Sequence, residues 1–242
     1  MNYFFELLKN RTGFSRIGRI PSPGNPTGYV YTPNVLIPIN EALSQRFDFL
    51  DQFIDHRLFY VKDKKYLKNE ILDEKYKNAG VIYTHGGKLE VFREVVKART
   101  KTLRKHGILS IIPFHVPTTA VSLEFAEEEL THYLNESKEI LDAHPNIPFG
   151  LSMRSFGYRE LLPTYLSFIK QHENVRALNL VDIFDELSNF RKILELFMPI
   201  KEELNNNLLL IASGRILPKH YPLLGYLGID IMDSSYMLHL SA

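Results

Sequence analysis

Short apolar runs alternate with longer amphipathic segments along most of this chain. The runs NVLIPI (34–39), RLFYV (57–61), GVIYT (80–84), ILSIIPF (108–114), IPFGLSM (147–153), VRALNLV (175–181), LLLIAS (208–213) and GIDIM (228–232) each have the length of a strand. They are almost continuously apolar, as strands covered on both faces are. Residues 89–106, 122–143, 158–172 and 188–204 instead repeat their apolar positions every three or four residues, which predicts amphipathic helices. Ser122 is placed to cap the second of them. Shorter helices are expected after Ile39 and over 219–227.

About eight strands, most followed by a helix, give either a doubly wound sheet or a (β/α)8 barrel. The count and the length of 242 residues favour the barrel. The expected fold class is therefore α/β, a TIM-type (β/α)8 barrel in one domain. A lead-in of β-hairpin type is expected over 1–33. Within it PSPGNPTGYVYTP (21–33), with four prolines, reads as loop-like. A charged insertion is expected over 62–78. There DKKYLKNEILDEKYKN (63–78) also reads as a loop, dense in lysine and acid.

Composition narrows the chemistry. Twenty-nine basic residues balance 28 acidic ones, so no global positive field announces nucleic acid. Cysteine is absent, which excludes a disulfide, a zinc-thiolate site or a cysteine nucleophile within these residues. No apolar run approaches the roughly 20 residues that cross a bilayer, and the N-terminus does not read as a signal peptide. The expectation is a cytoplasmic protein.

In such barrels chemistry gathers where strands end. Those ends carry Asn40, His85 with Gly86 and Gly87, His115, Arg154, Asp182, Gly214 with Arg215, and Asp233. THGGK (84–88) is either a tight turn or an anion cradle at a helix start. His115 leaves a buried run for a proline-containing loop; it is a proton carrier or a histidine satisfied by a carbonyl. Asp182 suits a pocket acid or the cap of the next helix. Arg215 suits phosphate or carboxylate recognition, or a salt bridge to Asp182 or Asp233. Asp233 has the strongest claim, because a carboxylate closing an apolar strand is costly to bury without a purpose or a partner. The structural alternative is a cap or an ion pair with Arg215 or Arg154.

The order of motifs resembles the tRNA-guanine transglycosylase family. FELLKNRTGFSRIGRIPSPGN…YVYTPNVLIPI is similar to its opening, with a Thr-Pro leading into the first barrel strand. VIYTHGGKLEVF falls where that family carries Thr-Asp-Ser-Gly-Gly-aromatic-Gln, and IPFHVPTTAVSLEFAEEEL where it carries a base-recognising acid. LLLIASGRILPKHYPLLGYLGIDIMDSS resembles its last third, in which the closing strand delivers the carboxylate nucleophile. On this alignment Asp233 carries over. His85 and His115 replace acids, and Met153, Arg154 and Ser155 replace a Gln-Gly-Gly element. Two acid-to-histidine exchanges remove obligatory anions, so the pocket should not hold guanine as the parent enzymes do.

The features look most like the diverged archaeal branch, the archaeosine synthases. The resemblance implies a transferase that adds an amine donor such as lysine to 7-cyano-7-deazaguanine in tRNA. Asp233, His85 and His115 would be catalytic. Arg154, Asp182, Gly214, Arg215, Gly86 and Gly87 would line the substrate. It calls for no cofactor and no metal ion in this chain. The implied partners are tRNA and a second subunit carrying PUA-like RNA-binding and zinc-binding modules. The alternatives are base exchange through an Asp233–ribose link, and a non-catalytic barrel that binds tRNA or a partner enzyme.

Overall fold

A computed structural model describes residues 5–10, 14–22, 25–39, 57–85, 88–114, 122–154, 159–183, 190–204 and 208–236. Three strands come first: β1 (Glu6–Asn10), β2 (Arg16–Ser22) and β3 (Asn25–Thr32), paired antiparallel in that order. The barrel strands follow as β4 (Asn34–Ile39), β5 (Leu58–Val61), β6 (Gly80–Thr84), β7 (Leu109–Ile112), β8 (Phe149–Arg154), β9 (Val175–Val181), β10 (Leu209–Ser213) and β11 (Ile231–Asp233). These eight strands pair in parallel and close, β11 returning to β4. The helices are α1 (Asn69–Glu74), α2 (Leu89–Lys105), α3 (Leu123–Ala143), α4 (Leu162–Gln171), α5 (Phe190–Glu203) and α6 (Tyr221–Tyr226). The chain is thus a TIM-type α/β barrel. No helix among the described residues is long and apolar enough to cross a membrane.

Strand parity sorts the core into two layers. Outward residues such as Leu151, Met153, Leu178 and Leu180 pack beneath the helices with Phe92, Val96, Leu134 and Tyr165. The ring of Tyr83 stacks on Phe92 of α2 at 5.4 Å. Inward residues such as Leu36, Leu58, Ile82, Ile111, Ala177, Leu209 and Ile231 fill the cylinder. Ser122 caps α3 as its sequence predicts, accepting from the Phe125 N–H at 3.2 Å.

Phe5, Ile20 and Val30 of the N-terminal sheet join the inner cluster, so the sheet stoppers the barrel at the N-terminal ends of its strands. Gly80, the first residue of β6, lets it seat. A Cβ there would lie 2.6 Å from Leu58 Cδ1 and 3.3 Å from Ile20 Cδ1. Behind the sheet, Arg16 is buried against Asp230, which immediately precedes the closing strand. Arg16 Nε donates to Asp230 Oδ1 at 2.9 Å and its Nη2 to Asp230 Oδ2. That Nη2 also reaches the Leu208 carbonyl at 2.6 Å.

Two segments expected as loops are ordered elements. Most of 21–33 is the β2–β3 hairpin. Pro21 fits there because β1 pairs with Arg16–Arg19 and stops before it, so no ladder on that side needs its missing N–H. The charged stretch 63–78 holds a 3-10 turn at Lys64–Tyr66 and then α1. It is the helical return of the β5 unit, with Leu67, Leu72 and Tyr76 buried in the core.

Candidate active site at the barrel mouth

The C-terminal strand ends form one rim. Register places Arg154, Val181 and Ser213 side by side across β8, β9 and β10. Asp233 ends β11 beside them. The sequence therefore put Arg154, Asp182, Gly214 and Asp233 at the same end of the barrel, and the structure does the same. His115, Gly86, Gly87 and Asn40 lie outside the described residues.

Asp233 is 8% exposed. It accepts from the Ser235 N–H at 2.8 Å and the Ser235 hydroxyl at 2.7 Å, in the manner of a cap on the turn after β11. The Gly214 N–H also bonds to it. The strand beneath is fixed by Ser234, whose hydroxyl donates to the Leu36 carbonyl at 2.8 Å. Burial raises the Asp233 pKa above the ordinary carboxylate value. The Ser235 and Gly214 bonds and the Lys62 charge pull it back in part. The inward Tyr60 hydroxyl bonds to Ser235, and burial beside Asp233 raises its pKa strongly. Lys62 lies with its Nζ 5.3 Å from the Tyr60 ring centroid. A carboxylate raised toward neutrality is a better proton acceptor at working pH than an exposed one.

Arg154 and Asp182 form their own corner. Arg154 Nη2 donates to Asp182 Oδ2 at 2.9 Å. Asp182 takes a left-handed backbone, φ 54°, and its N–H donates to the Ser213 carbonyl at 2.9 Å. Gly214 has φ 100°, and a Cβ there would lie 2.2 Å from Asp182 Oδ1. Glycine is thus required both by backbone conformation and by the Asp182 carboxylate. Asp182 takes its ion pair from Arg154, while Arg215 is exposed on the next turn.

His85 directly follows β6 and is half-buried. Two strands, β4 and β5, separate β6 from β11. At about 4.8 Å per strand, His85 and Asp233 stand roughly 14 Å apart around the rim. They can act on one substrate only by meeting it from different sides.

The described residues also show groups that the sequence reading passed over. Tyr133 of α3 inserts its hydroxyl between β7 and β8, donating to the Ile112 carbonyl at 3.2 Å and accepting from the Ser152 N–H at 2.9 Å. Tyr165 of α4 donates to the Ser152 carbonyl at 3.4 Å. Inside, Asn179 Nδ2 donates to Ser152 Oγ at 3.2 Å. The signal was present in VRALNLV, where a lone amide occupies an inward position of an apolar strand. Among the described residues no cluster of His, Asp or Glu is arranged to hold a metal ion.

These features define a class: a (β/α)8 barrel, stoppered at one end, with a buried carboxylate at the other. No protein-family model and no curated protein matches the chain.

Proposed function

We propose that this barrel modifies deazaguanine in tRNA, adding an amine donor such as lysine to the nitrile of 7-cyano-7-deazaguanine. The observation that carries the reading is Asp233. The closing strand delivers it to the mouth, buried and with its pKa raised, where the motif order of the transglycosylase-like family calls for the principal acid.

The chemistry follows from the residues. Asp233 takes a proton from the donor's amino group, whose lone pair forms the new C–N bond to the nitrile carbon. One π bond of the nitrile breaks, and its electron pair moves to nitrogen. His85, across the rim from Asp233, or His115 protonates that nitrogen and an amidine results. No leaving group departs, and one proton is taken up for each one given. The balanced charge of the chain suits tRNA held with a second, RNA-binding subunit.

The test uses tRNA carrying the nitrile base, isotopically labelled lysine, and the chain with and without its second subunit. The expected result is a mass shift of the modified nucleoside, lost in Asp233→Asn. Asp233→Asn should fold at least as stably at neutral pH, because the burial cost falls on the ionised form. No mass shift under any pairing refutes the reading. Exchange of labelled guanine in its place assigns the protein to base exchange.

A further inference from the structure

We infer that Asn179 reads the substrate: its amide oxygen accepts a hydrogen bond from an N–H group on the edge of a guanine-like heterocycle. The inference deepens the proposed function and rests on it for the class of ligand.

Three observations converge. The first is position. Register aligns Ser152, Asn179, Ile211 and Ile231 across β8 to β11. This layer lies two residues below the rim that carries Arg154 and Asp233. Leu178 and Leu180 face the helices and Ala177 faces the interior, so strand parity turns Asn179 inward.

The second is an unmet hydrogen bond. Asn179 is 7% exposed. Its Nδ2 is held by Ser152 Oγ, while its Oδ1 has no hydrogen-bond partner among the described residues. A buried amide oxygen without a donor destabilises the fold, and nearly all such groups in proteins are satisfied. A side chain that only filled the barrel would be better replaced by leucine, as in the strands around it. The amide is held at one end and open at the other, as a ligand-reading group is.

The third is support. In an unbroken parallel ladder the Ser152 N–H would donate to a β7 carbonyl directly. Here the Tyr133 hydroxyl stands between it and Ile112. This bridge lies at the height of the Ser152–Asn179 pair. The Tyr165 hydroxyl holds the Ser152 carbonyl from the same side. Both tyrosines are deeply buried and keep their hydroxyl protons, burial raising their pKa values. The wall that carries the open amide is thus braced by two buried hydroxyls. A site that hydrogen-bonds a ligand N–H discriminates strongly against analogues lacking it.

The experiment measures binding of guanine, hypoxanthine and 1-methylguanine to the full chain by calorimetry, alongside 7-cyano-7-deazaguanine. Hypoxanthine lacks the exocyclic amine and 1-methylguanine lacks the ring N–H. The expected result is that one of these two loses roughly tenfold to a hundredfold in affinity relative to guanine. Asn179→Leu should abolish that discrimination with a Tm no lower than that of the wild type, since it removes an unsatisfied buried atom. Ser152→Ala, which keeps the backbone anchors to Tyr133 and Tyr165, should weaken the discrimination several-fold and lower Tm by a few degrees, because Asn179 Nδ2 loses its acceptor. The inference is overturned if Asn179→Leu lowers Tm markedly or retains the discrimination, or if no probe binds the wild type. Lysine addition is scored separately. Discrimination without lysine transfer removes the proposed reaction and keeps Asn179 as the reader. Lysine transfer with unchanged discrimination in Asn179→Leu removes Asn179 alone.

Discussion

Arg16→Met deletes the guanidinium that neutralises a carboxylate with no solvent access. Asp230 is 0% exposed and Arg16 4%. In the wild type Asp230 accepts from Arg16 Nε at 2.9 Å, from Arg16 Nη2, and from the Leu210 N–H at 2.7 Å. After the change only the Leu210 bond remains of these, and the Leu208 carbonyl loses the donor 2.6 Å away. Removing one member of a buried ion pair costs about 3–5 kcal/mol, because the other stays charged or must take up a proton. In a chain of this size each kcal/mol shifts Tm by about 2–4 °C, so the expected fall is roughly 6–20 °C. The double variant Arg16→Met/Asp230→Leu removes both charges and should be more stable than Arg16→Met alone. Thermal and urea denaturation of the wild type, both single variants and the double variant complete the cycle. A Tm change below about 2 °C for Arg16→Met, or a double variant as unstable as the sum of the singles, refutes the argument that this pair pins the N-terminal sheet to the closing strand.

Leu72→Ala should cost about 2–5 kcal/mol in urea denaturation, because Leu72 is fully buried in the outer core; a cost near zero would return the lysine-rich stretch to a surface loop. Tyr133→Phe leaves the Ile112 carbonyl and Ser152 N–H without their bridge and should cost about 1–3 kcal/mol, again by urea. Lys201 has its pKa lowered to about 8, first by burial and then by the Arg16 charge, with Asp230 opposing. An unfolded lysine titrates near 10.4, so between about pH 8 and 10 the unfolded chain binds the extra proton and stability rises with pH. Lys201→Met should flatten that rise between about pH 8 and 10, and a rise of equal size in the variant would assign it to another group.

The barrel was legible because its strands are covered on both faces. GVIYT and VRALNLV have no polar alternation to confuse their ends, and the structure keeps both ranges whole. The helix at 89–106 was readable for the complementary reason, an apolar stripe at Phe92, Val95, Val96 and Leu103. The helical content of 63–78 was not readable, since the lysines and acids of that stretch outnumber the few side chains, Leu67, Leu72 and Tyr76, that reach the core. Prolines obscured the β2–β3 hairpin, because their cost depends on whether a neighbouring strand needs the missing N–H, which only pairing reveals. At the mouth, Asp233 stood out as a charge ending an apolar strand. The Arg154–Asp182 pairing was hidden, being a contact between side chains 28 positions apart. Asn179 was overlooked because one amide hardly alters the hydropathy of its strand; inward parity gives it meaning.

The seam between β4 and β11 governs how this protein comes into being on the ribosome. The strand that begins the barrel must wait beside an empty slot until synthesis has passed every other barrel strand, since its second neighbour starts only at Ile231. Until then the nascent sheet has two raw margins, on β4 and β10, open to pairing with any other chain. Cells that make much of this protein therefore face their greatest risk of clumping during the interval before the short strand β11 arrives.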